Sequence, residues 1–546
     1  MPWSSIISSG DVVAIHAALV PTANGDGEIL LLGGDNHYRD GAVANQFDHT
    51  RRFNCRNTAS ALIYVESPSF DLFCSGHAQL PEGEVLPEGG VLFAGGTADF
   101  PKYAHGIHKD IHFDGHRHAV IYDPSAGTFV VTSDMNARLG RKGAGGGRWY
   151  PTVCTLGNGN LFIAQGHPSG SDSRHGNDTP EIFDNDVQTW TLLPKFGIIS
   201  GNPILYPRLH LLPSGLIFIS SAIDGYNQNI SIDPSSSVTH SVSSLPDPAY
   251  HGFDCPSVLL PLVPADQYRA RVLLCGGIYT QMIDLGDSNP AWSAVTRNGS
   301  AAAFNRSHAC ATLLPTGDVL ITGGTSVNDQ VGVLLPEIYR TPIDHNTHSY
   351  VGGVGFSETI NEPATIIRNY HSTALLMPDG RVWTAGGNSL YQPDYPATAT
   401  QKSVEIFDPP YPTGPRPSIV QCPSFVAYNH KFEISTPQAN NISGISLLRC
   451  GSSTHAFNPD QRMIVLGFSK VNANTLESNA PPNCNVAPPG SYMLFLIDNQ
   501  GRPCSYAKFV RVGPRMIKKP VRTFWPKKIY KIILDMFNLL TERKRA

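Results

Sequence analysis

A short apolar unit recurs seven times through the first three quarters of this 546-residue chain, and this repeat constrains the fold more than any other feature. Each unit has an apolar run, a turn that contains glycine, and a second apolar run that often ends in a pair of glycines. The second runs end 47 to 70 residues apart. They cover residues 29–34, 91–96, 161–166, 216–221, 272–277, 319–324 and 382–387. The repeat therefore predicts a series of small β-sheet units.

Units of this length and composition are typical of the blades of a Kelch-type β-propeller. One small sheet cannot bury both of its faces, whereas a ring of sheets buries them against one another and leaves a central channel. We therefore expect an all-β, seven-bladed Kelch-like propeller over residues 11–415. The alternative is an all-β sandwich in which the glycines recur by accident. With 41% hydrophobic and 15% charged residues, the chain is neither disordered nor a coiled coil.

Two further segments follow the repeats. After residue 415 the glycine pairs stop, and alternating apolar runs over residues 416–513 predict an immunoglobulin-like β-sandwich. Residues 514–546 contain ten Lys or Arg and two Asp or Glu, a net charge of +8 in a chain whose total is −4, so the remainder sums to −12. Apolar residues at helical spacing predict a basic amphipathic helix in this tail. That helix would lie either on an anionic membrane surface, as a peripheral contact, or on the acidic remainder of the protein.

One position in the repeat holds only histidine, tyrosine or cysteine. It lies nine residues before the turn glycine in the six units that can be aligned, and it contains His16, Cys74, Tyr150, Tyr206, His308 and His371. The fifth unit has a longer turn and cannot be aligned, although Asp254 and Cys255 lie nearby. Equivalent positions of a closed ring face the same point, so these side chains are expected at one mouth of the channel. They either fill the channel as buried polar groups or form a site.

The chemistry open to such a set is narrow. Imidazole nitrogens and phenol oxygens suit tetragonal Cu(II). In addition, the sulfur of a cysteine such as Cys74 can attack the edge of an oxidised phenol ring and form a thioether. The product would give up an electron more easily than an unmodified tyrosine.

Four motifs, taken together and in this order, resemble the galactose oxidase and glyoxal oxidase family of copper radical oxidases. They are Phe73-Cys74-Ser75-Gly76, Arg148-Trp149-Tyr150-Pro151-Thr152, Tyr370-His371-Ser372 and Thr454-His455-Ala456-Phe457-Asn458. The resemblance covers roughly residues 11–513. The Trp149-Tyr150 pair is similar to the glyoxal oxidase form of the tyrosine segment.

The resemblance implies a role for each of these side chains. Tyr150, His371 and His455 would be equatorial ligands of one copper ion. Tyr370 would be its axial ligand and the general base. Cys74 would be joined to Tyr150 by a thioether bond, and the adduct would form a radical cofactor. His455 would reach the channel on a loop of the second domain, which would complete the site.

The resemblance also implies a reaction. A copper radical oxidase oxidises a small aldehyde or a primary alcohol with dioxygen and releases hydrogen peroxide. The substrate hydroxyl would pass its proton to Tyr370, and the Tyr150 radical would take a hydrogen atom from the carbinol carbon. No NAD, flavin or haem motif occurs, which agrees with a cofactor that the protein makes from itself.

Two other functions compete with this hypothesis. One is a non-catalytic Kelch-propeller scaffold or binding protein, whose channel residues only fill the axis. The other is a relative of the oxidases that binds copper but forms no stable radical.

The sequence departs from galactose oxidase at one place. There an indole stacks over the cross-linked tyrosine, but the matching position here falls at residues 165–168, which contain no tryptophan. Either His167 covers the ring instead, or another aromatic residue reaches it from elsewhere in the chain. This departure argues against galactose as the substrate, and the Trp149-Tyr150 pair favours small aldehydes and simple alcohols.

Several other residues carry separate expectations. A histidine-rich insertion in the second unit is either a second metal site or a solvated loop near the channel mouth. Its members are His105, His108, His112, His116 and His118. Arg174, His175 and Asn177 lie in another loop rich in glycine and serine, which is a candidate for substrate contact that no motif in the sequence supports. Cys484 and Cys504 would pair if the protein meets an oxidising compartment.

Charge and targeting signals limit the partners. The chain as a whole lacks the basic footprint of a nucleic-acid-binding protein. The first residues show neither the basic nor the apolar segment of a secretory signal, although relatives in this family are usually exported. The sequence therefore leaves the localisation open.

Overall fold

A computed structural model of the chain shows an all-β protein. It describes residues 2–10, 12–33, 50–83, 86, 88–99, 114–137, 146–168, 176–194, 205–221, 228–236, 238–244, 254–275, 280–303, 305–326, 331–344, 347, 349–387 and 401–515. Among these residues the helical segments are single 3₁₀ turns at Pro264–Asp266, Ser300–Ala303 and Ala439–Asn441, and no helix is long and apolar enough to cross a membrane. Met1–Gly513 form one compact unit, and Pro514–Ala546 form a second. The predicted tail helix lies outside the described residues from residue 516 onwards.

The first part of the chain forms one short strand and then four successive sheets. The strands are β1 Ile7–Ser8, β2 His16–Val20, β3 Glu28–Leu32, β4 Thr50–Asn54, β5 Ile63–Val65, β6 Gly76–Leu80, β7 Gly90–Ala94, β8 Thr97–Asp99, β9 Asp114–Gly115, β10 Ala119–Asp123, β11 Thr128–Val131, β12 Thr152–Thr155, β13 Leu161–Ala164, β14 Glu181–Asp184, β15 Thr189–Leu192, β16 Leu209–Leu211, β17 Ile217–Ile219, β18 Gln228–Ile232 and β19 Thr239–Ser244. Strands β2 to β5 form the first sheet, β6, β7, β10 and β11 the second, β12 to β15 the third and β16 to β19 the fourth. In each sheet consecutive strands pair antiparallel, from the inner strand to the outer one.

The remaining repeats continue this pattern. Their strands are β20 Ser257–Leu259, β21 Arg271–Leu274, β22 Thr280–Asp284, β23 Trp292–Asn298, β24 Cys310–Leu313, β25 Val319–Thr322, β26 Glu337–Arg340, β27 Ile343–Asp344, β28 Ser349–Tyr350, β29 Phe356–Thr359, β30 Ser372–Leu376, β31 Val382–Gly386 and β32 Ser403–Phe407. Two four-stranded groups, β20 to β23 and β24, β25, β26 and β29, join into one eight-stranded sheet because their outer strands β23 and β29 pair in parallel. The last group, β30 to β32, takes its outer strand from the N-terminus, since β1 pairs with β32.

The C-terminal part contains two more sheets. Its strands are β33 Phe425–Ala427, β34 Lys431–Ser435, β35 Ile442–Arg449, β36 Ser452–Thr454, β37 Met463–Val465, β38 Phe468–Asn472, β39 Thr475–Asn479, β40 Gly490–Asp498 and β41 Lys508–Gly513. A five-stranded sheet has the order β33-β41-β40-β35-β37, and a three-stranded sheet has the order β34-β39-β38. Strand β36 belongs to neither of them, because it pairs with β2 in the first repeat. The apolar side chains of this part share one core cluster with several of the repeats.

The predicted strands of the repeat are confirmed. Each of the seven second runs contains a strand: β3, β7, β13, β17, β21, β25 and β31. One alignment was wrong. Gly83 is not the turn glycine of the second unit, because β7 begins only at Gly90 and the glycine with positive φ before it is Gly89 (φ 73°).

The glycine pairs allow neighbouring repeats to approach closely. Gly96 donates its N–H to the carbonyl of Arg148 (2.9 Å), and Gly324 donates to the carbonyl of Arg368 (2.6 Å). A Cβ atom on Gly95 or Gly323 would collide with these same carbonyl oxygens. Glycine at the end of the second strand therefore reflects contact between one repeat and the next, rather than freedom in a loop.

A buried Arg–Glu pair recurs inside three of the sheets. The pairs are Arg148–Glu181 (2.8 Å), Arg306–Glu337 (2.9 Å) and Arg368–Glu405 (3.5 Å). Each arginine lies just before an inner strand and also donates to a carbonyl at the end of the second strand, on Gln165, Gly323 or Gly386. The carboxylate comes from the third strand. One arginine therefore ties three strands of its sheet together at the end where the inner strand begins.

We expect Glu181→Gln to lower the free energy of unfolding by about 3–5 kcal/mol, because it leaves the guanidinium of Arg148 buried without its counter-charge. Urea denaturation measures the change. Lys431→Ala serves as the control, because Lys431 is 65% exposed in its ion pair with Glu477. This substitution should lower the free energy of unfolding by no more than about 1 kcal/mol. Equal effects from the two substitutions would contradict a structural role for the buried pair.

Buried histidines make stability depend on pH. Burial lowers the pKa of His77 to about 4, and its ring stacks on Phe93 with centroids 5.0 Å apart. Between pH 6.5 and 4 the unfolded chain binds a proton at this residue and the folded chain does not. Stability from this group is therefore complete above about pH 6.5 and falls as the pH decreases, by up to about 1.4 kcal/mol per pH unit. His77→Phe should flatten the fall of unfolding free energy over that range, and an unchanged slope would contradict the assignment.

Candidate metal centre

The residues of the repeat position lie close together at the start of the inner strands, a place that we call the hub. They share an unusual backbone conformation. Cys74, Tyr150, Tyr206, His308 and His371 all have φ between 44° and 65°, the left-handed region that residues with a Cβ rarely adopt. Each lies one to three residues before an inner strand of a repeat. Backbone strain of this kind concentrates at functional sites, where it aims a side chain. The repeat position that the sequence singled out is therefore also a structural position.

Main-chain hydrogen bonds link these residues from one repeat to the next. Tyr150 donates its N–H to the carbonyl of Cys74 (2.9 Å), and Tyr206 donates to the carbonyl of Tyr150 (2.8 Å). His308 makes the same bond to the carbonyl of Asp254 (2.7 Å). Asp254 thus occupies the position in the fifth unit that the sequence could not place.

Five of the predicted site residues lie together at this hub. One ligand atom each from Cys74, His371 and His455 lies within 4.8 Å of the other two, and the Sγ of Cys74 is 3.8 Å from the Nε2 of His455. The hydroxyls of Tyr150 and Tyr370 contact each other. The rings of Tyr150 and His455 have centroids 4.7 Å apart, and those of Tyr370 and His371 are 3.7 Å apart. All five side chains are buried, with at most 4% of their surface exposed.

A strand from the C-terminal part delivers His455. Strand β36 adds to the inner edge of the first sheet by pairing with β2, so that Thr454 lies opposite His16 and Ser452 opposite Ala18. His455 follows directly and adopts a left-handed conformation with φ 46°. Because side chains alternate along a strand, a shift of one residue in this pairing would turn His455 away from the hub.

Hydrogen bonds determine which ring nitrogen of His455 has a lone pair that can bind a metal ion. Thr454 donates its hydroxyl proton to the carbonyl of Ile15 (2.9 Å), so its Oγ1 accepts from Nδ1 of His455 (2.7 Å). The proton of the imidazole is therefore on Nδ1, and the lone pair of Nε2 points towards Cys74. Burial, and then the nearby His371, hold the pKa of His455 well below its ordinary value. The ring is neutral and ready to act as a ligand.

Arg208 holds the backbone of the same loop. It donates Nη2 to the carbonyl of His455 (2.9 Å), Nε to that of Cys255 (3.0 Å) and Nη1 to that of Tyr206 (3.2 Å). The side chain is fully buried, and burial lowers its pKa to about 10. One arginine therefore joins the fourth repeat, the segment before β20 and the C-terminal loop.

The ring stacked on Tyr150 belongs to Trp149. Their centroids are 4.0 Å apart and their planes are inclined by 11°. Neighbouring side chains on an extended strand point to opposite faces, but the left-handed turn at Tyr150 brings the two consecutive rings face to face. The covering ring is thus another aromatic residue, Trp149, rather than His167. His167 forms a bridge with Trp149 through the main chain, with N–H···O distances of 2.6 and 2.9 Å.

The other residues of the repeat position surround the cluster. His16 accepts the N–H of Cys74 at its Nε2 (3.2 Å), and burial holds its pKa well below the ordinary value. Tyr206 donates its hydroxyl to the carbonyl of Ser75 (2.9 Å), and burial raises its pKa well above 10, so it stays protonated. The ring of His308 meets that of Tyr370 edge-on at 5.0 Å. These three side chains support the cluster from outside it.

Only some of the other residues singled out in the sequence fall within the described residues, and those that do contact main-chain or acidic groups. His105, His108 and His112 lie outside the described residues, as do Arg174 and His175. His116 bonds through Nε2 to the carbonyl of Asp71 (2.7 Å), His118 pairs with Asp134 (2.9 Å), and Asn177 donates to the carbonyl of Gly146 (3.2 Å). Cys484 and Cys504 are both free cysteines, so the pairing proposed for them is absent.

The donor set at the hub fits copper. Two imidazoles and two phenol oxygens that contact each other supply the nitrogen and oxygen ligands that tetragonal Cu(II) prefers. The sulfur of Cys74 is part of the same group. A copper ion can therefore be held here by side chains that the fold already brings together.

Comparisons with known proteins identify the family to which the chain is similar. A sequence model described as "Glyoxal oxidase N-terminus" matches residues 113–411, and one described as "Galactose oxidase-like, Early set domain" matches residues 416–512. An aldehyde oxidase GLOX from Vitis pseudoreticulata is 28% identical over an alignment of 474 positions, which covers 81% of this chain and 82% of that protein. A galactose oxidase from Gibberella zeae is 25% identical over an alignment of 540 positions, which covers 92% of this chain and 69% of that protein.

A solved structure shares the fold. It is a fungal alcohol oxidase of the AA5 family in complex with copper, and it superimposes with a TM-score of 0.69 at 22% identity. The superposition covers 93% of this chain and 99% of that one.

We expect Thr454→Val to weaken copper binding by about 10–100-fold, because the hydroxyl that accepts the Nδ1 proton of His455 orients the ring and leaves Nε2 free. Competition with a chromophoric chelator measures the affinity, and thermal unfolding confirms that the variant folds. Thr454→Ser keeps the hydroxyl and should bind copper as the wild type does. Equal affinity for the valine and serine variants would contradict the role given to Thr454.

Proposed function

Since the chain belongs to the glyoxal oxidase family of copper radical oxidases, we propose that it oxidises a small aldehyde or a primary alcohol with dioxygen and releases hydrogen peroxide. The observation that carries the proposal is the meeting of Cys74, His371 and His455 within 4.8 Å, beside the contacting hydroxyls of Tyr150 and Tyr370. These five side chains come from four distant stretches of the chain, so ordinary packing between sequence neighbours does not account for their convergence.

The proposal includes the architecture around the site. The repeats over residues 11–415 would close into a seven-bladed ring, with the N-terminal strand β1 completing the last blade. Residues 416–513 would form an immunoglobulin-like domain that supplies the last ligand through β36. The pairing of β1 with β32 and the main-chain bonds between hub residues support a closed ring.

In this proposal Tyr150, Tyr370, His371 and His455 would hold the copper ion. Bound copper supplies one-electron chemistry between Cu(II) and Cu(I). Oxidation of an alcohol to an aldehyde removes two electrons, so a protein group must supply the second. The adduct of Tyr150 with Cys74 is that group, because sulfur on the ring lowers the cost of removing an electron.

The proton transfer, the hydrogen-atom transfer and the shielding of the site are assigned to different side chains. Tyr370 lies in contact with the Tyr150 hydroxyl and accepts the proton of the substrate hydroxyl. The oxidised Tyr150 then takes the hydrogen atom from the carbon that bears this hydroxyl. Trp149 covers the face of Tyr150 and shields its ring from water. Two protons and two electrons leave with dioxygen as hydrogen peroxide, which balances the reaction.

Small aldehydes, as their hydrates, are the proposed substrates. The relative from Vitis pseudoreticulata is named an aldehyde oxidase, and the family model over residues 113–411 is that of glyoxal oxidase. The indole next in sequence to the tyrosine supports the same side of the family.

Intact mass after copper loading in air tests the cofactor. The wild-type chain should lose two hydrogen atoms as the thioether forms, and Cys74→Ser should show no loss. Cys422→Ser, at a partly exposed cysteine of the C-terminal part, should lose two hydrogens as the wild type does. Absence of both bound copper and the mass change would favour a non-catalytic scaffold instead.

A peroxide-coupled assay tests the substrate class. Methylglyoxal, glyoxal and glycolaldehyde should give higher kcat/KM than glycerol or galactose. Cys74→Ser should remove most of the peroxide signal from every substrate. A higher kcat/KM for galactose than for the aldehydes would overturn the proposed preference.

A further inference from the structure

The ligand group at the hub differs before and after the thioether forms. In the chain as synthesised, Cys74 is a thiol that can ionise and bind a metal as a thiolate. Once its sulfur is bonded to the ring of Tyr150, that anionic ligand no longer exists. The site therefore passes from a sulfur-containing set to one made of imidazole and phenol groups.

A thiolate with two imidazoles is a set that Zn²⁺ binds well. Bond lengths of about 2.3 Å to sulfur and 2.0–2.1 Å to nitrogen, at tetrahedral angles, place sulfur and nitrogen about 3.6 Å apart. The Sγ of Cys74 and the Nε2 of His455 are 3.8 Å apart. This pair of ligands is therefore spaced for zinc without rearrangement of the backbone.

The surroundings complete a closed site. The Nε2 of His455 carries a lone pair because Nδ1 donates to Thr454. The hydroxyls of Tyr150 and Tyr370 lie beside the group and offer a fourth ligand. Cys74 and His455 are both at most 1% exposed, so a bound ion would be shielded from water.

We propose that the unlinked chain binds Zn²⁺ through Cys74, His371 and His455, and that formation of the thioether removes this zinc site. The covalent bond then acts as a switch of metal preference as well as a cofactor. The inference rests on the proposed function, because it requires that the thioether forms.

Zinc in this site would also oppose maturation. Formation of the link removes one hydrogen from the sulfur of Cys74 and one from a ring carbon of Tyr150, and a carbon–sulfur bond replaces them. Two electrons and two protons pass to dioxygen, which becomes hydrogen peroxide. A sulfur bonded to zinc is less available for the new bond and keeps copper from the same ligands, so zinc-loaded chains should form the link more slowly when copper and air are added.

Cobalt(II) tests the site as a spectroscopic substitute for zinc. Protein made without copper and without oxygen should show a thiolate-to-cobalt charge-transfer band in the near ultraviolet, and an equivalent of Zn²⁺ should remove it. The band should be absent from Cys74→Ser and from protein already linked, whereas Cys422→Ser should retain it. A missing band in the unlinked wild type, or a band that persists in Cys74→Ser, would overturn the proposal.

A second measurement uses only the wild-type chain, in case Cys74→Ser fails to fold. Unlinked protein is incubated with or without one equivalent of Zn²⁺ and is then given copper and air. We expect the loss of two hydrogens to be clearly slower in the zinc-loaded sample, because zinc occupies the ligands that copper needs. Equal rates would refute the zinc site, whereas no mass loss in either sample, with the cobalt band present, would instead refute the proposed thioether.

Discussion

The pairing of β36 with β2 is the contact on which the candidate site depends. It inserts a strand of the C-terminal part into the first repeat, opposite His16 to Ala18, and so brings His455 to the hub. Thr454, the last residue of that strand, then sets the tautomer of the next side chain. Arg208 fixes the carbonyl of the same residue from the other side. The position of a single imidazole thus results from strand pairing, a hydroxyl and a buried charge acting together.

The repeats make the hub rigid enough to support strained residues. Residues with a Cβ in the left-handed region cost of order 1–3 kcal/mol each, and Tyr150 and His371 are both in that region. Close contacts through the glycine pairs and the buried Arg–Glu pairs surround them. Arg148 shows the connection, since it pairs with Glu181 and lies two residues before Tyr150. Packing energy within the sheets therefore offsets the strain that aims the side chains.

Sequence reasoning reached the strands and the hub position because both follow from a repeat, in which equivalent residues face the same point. It could not align Gly83 correctly, because a long connection in the second unit imitates the spacing of a turn. It also missed Trp149 as the stacking ring, since an extended chain would point that side chain away from Tyr150 and only the left-handed turn reverses it. The roles of Arg208 and Asp254 depend on contacts between distant repeats, which no local pattern encodes.

The origin of His455 in the last part of the chain has a consequence for biosynthesis. During translation, Cys74, Tyr150 and Tyr370 emerge from the ribosome long before residue 455 is added. Throughout that interval the thiol of Cys74 exists without the imidazole that would share its metal in the proposed centre. If the proposed centre forms, only a translation product that extends beyond β36 can supply all of its ligands, and a chain that ends earlier would lack His455.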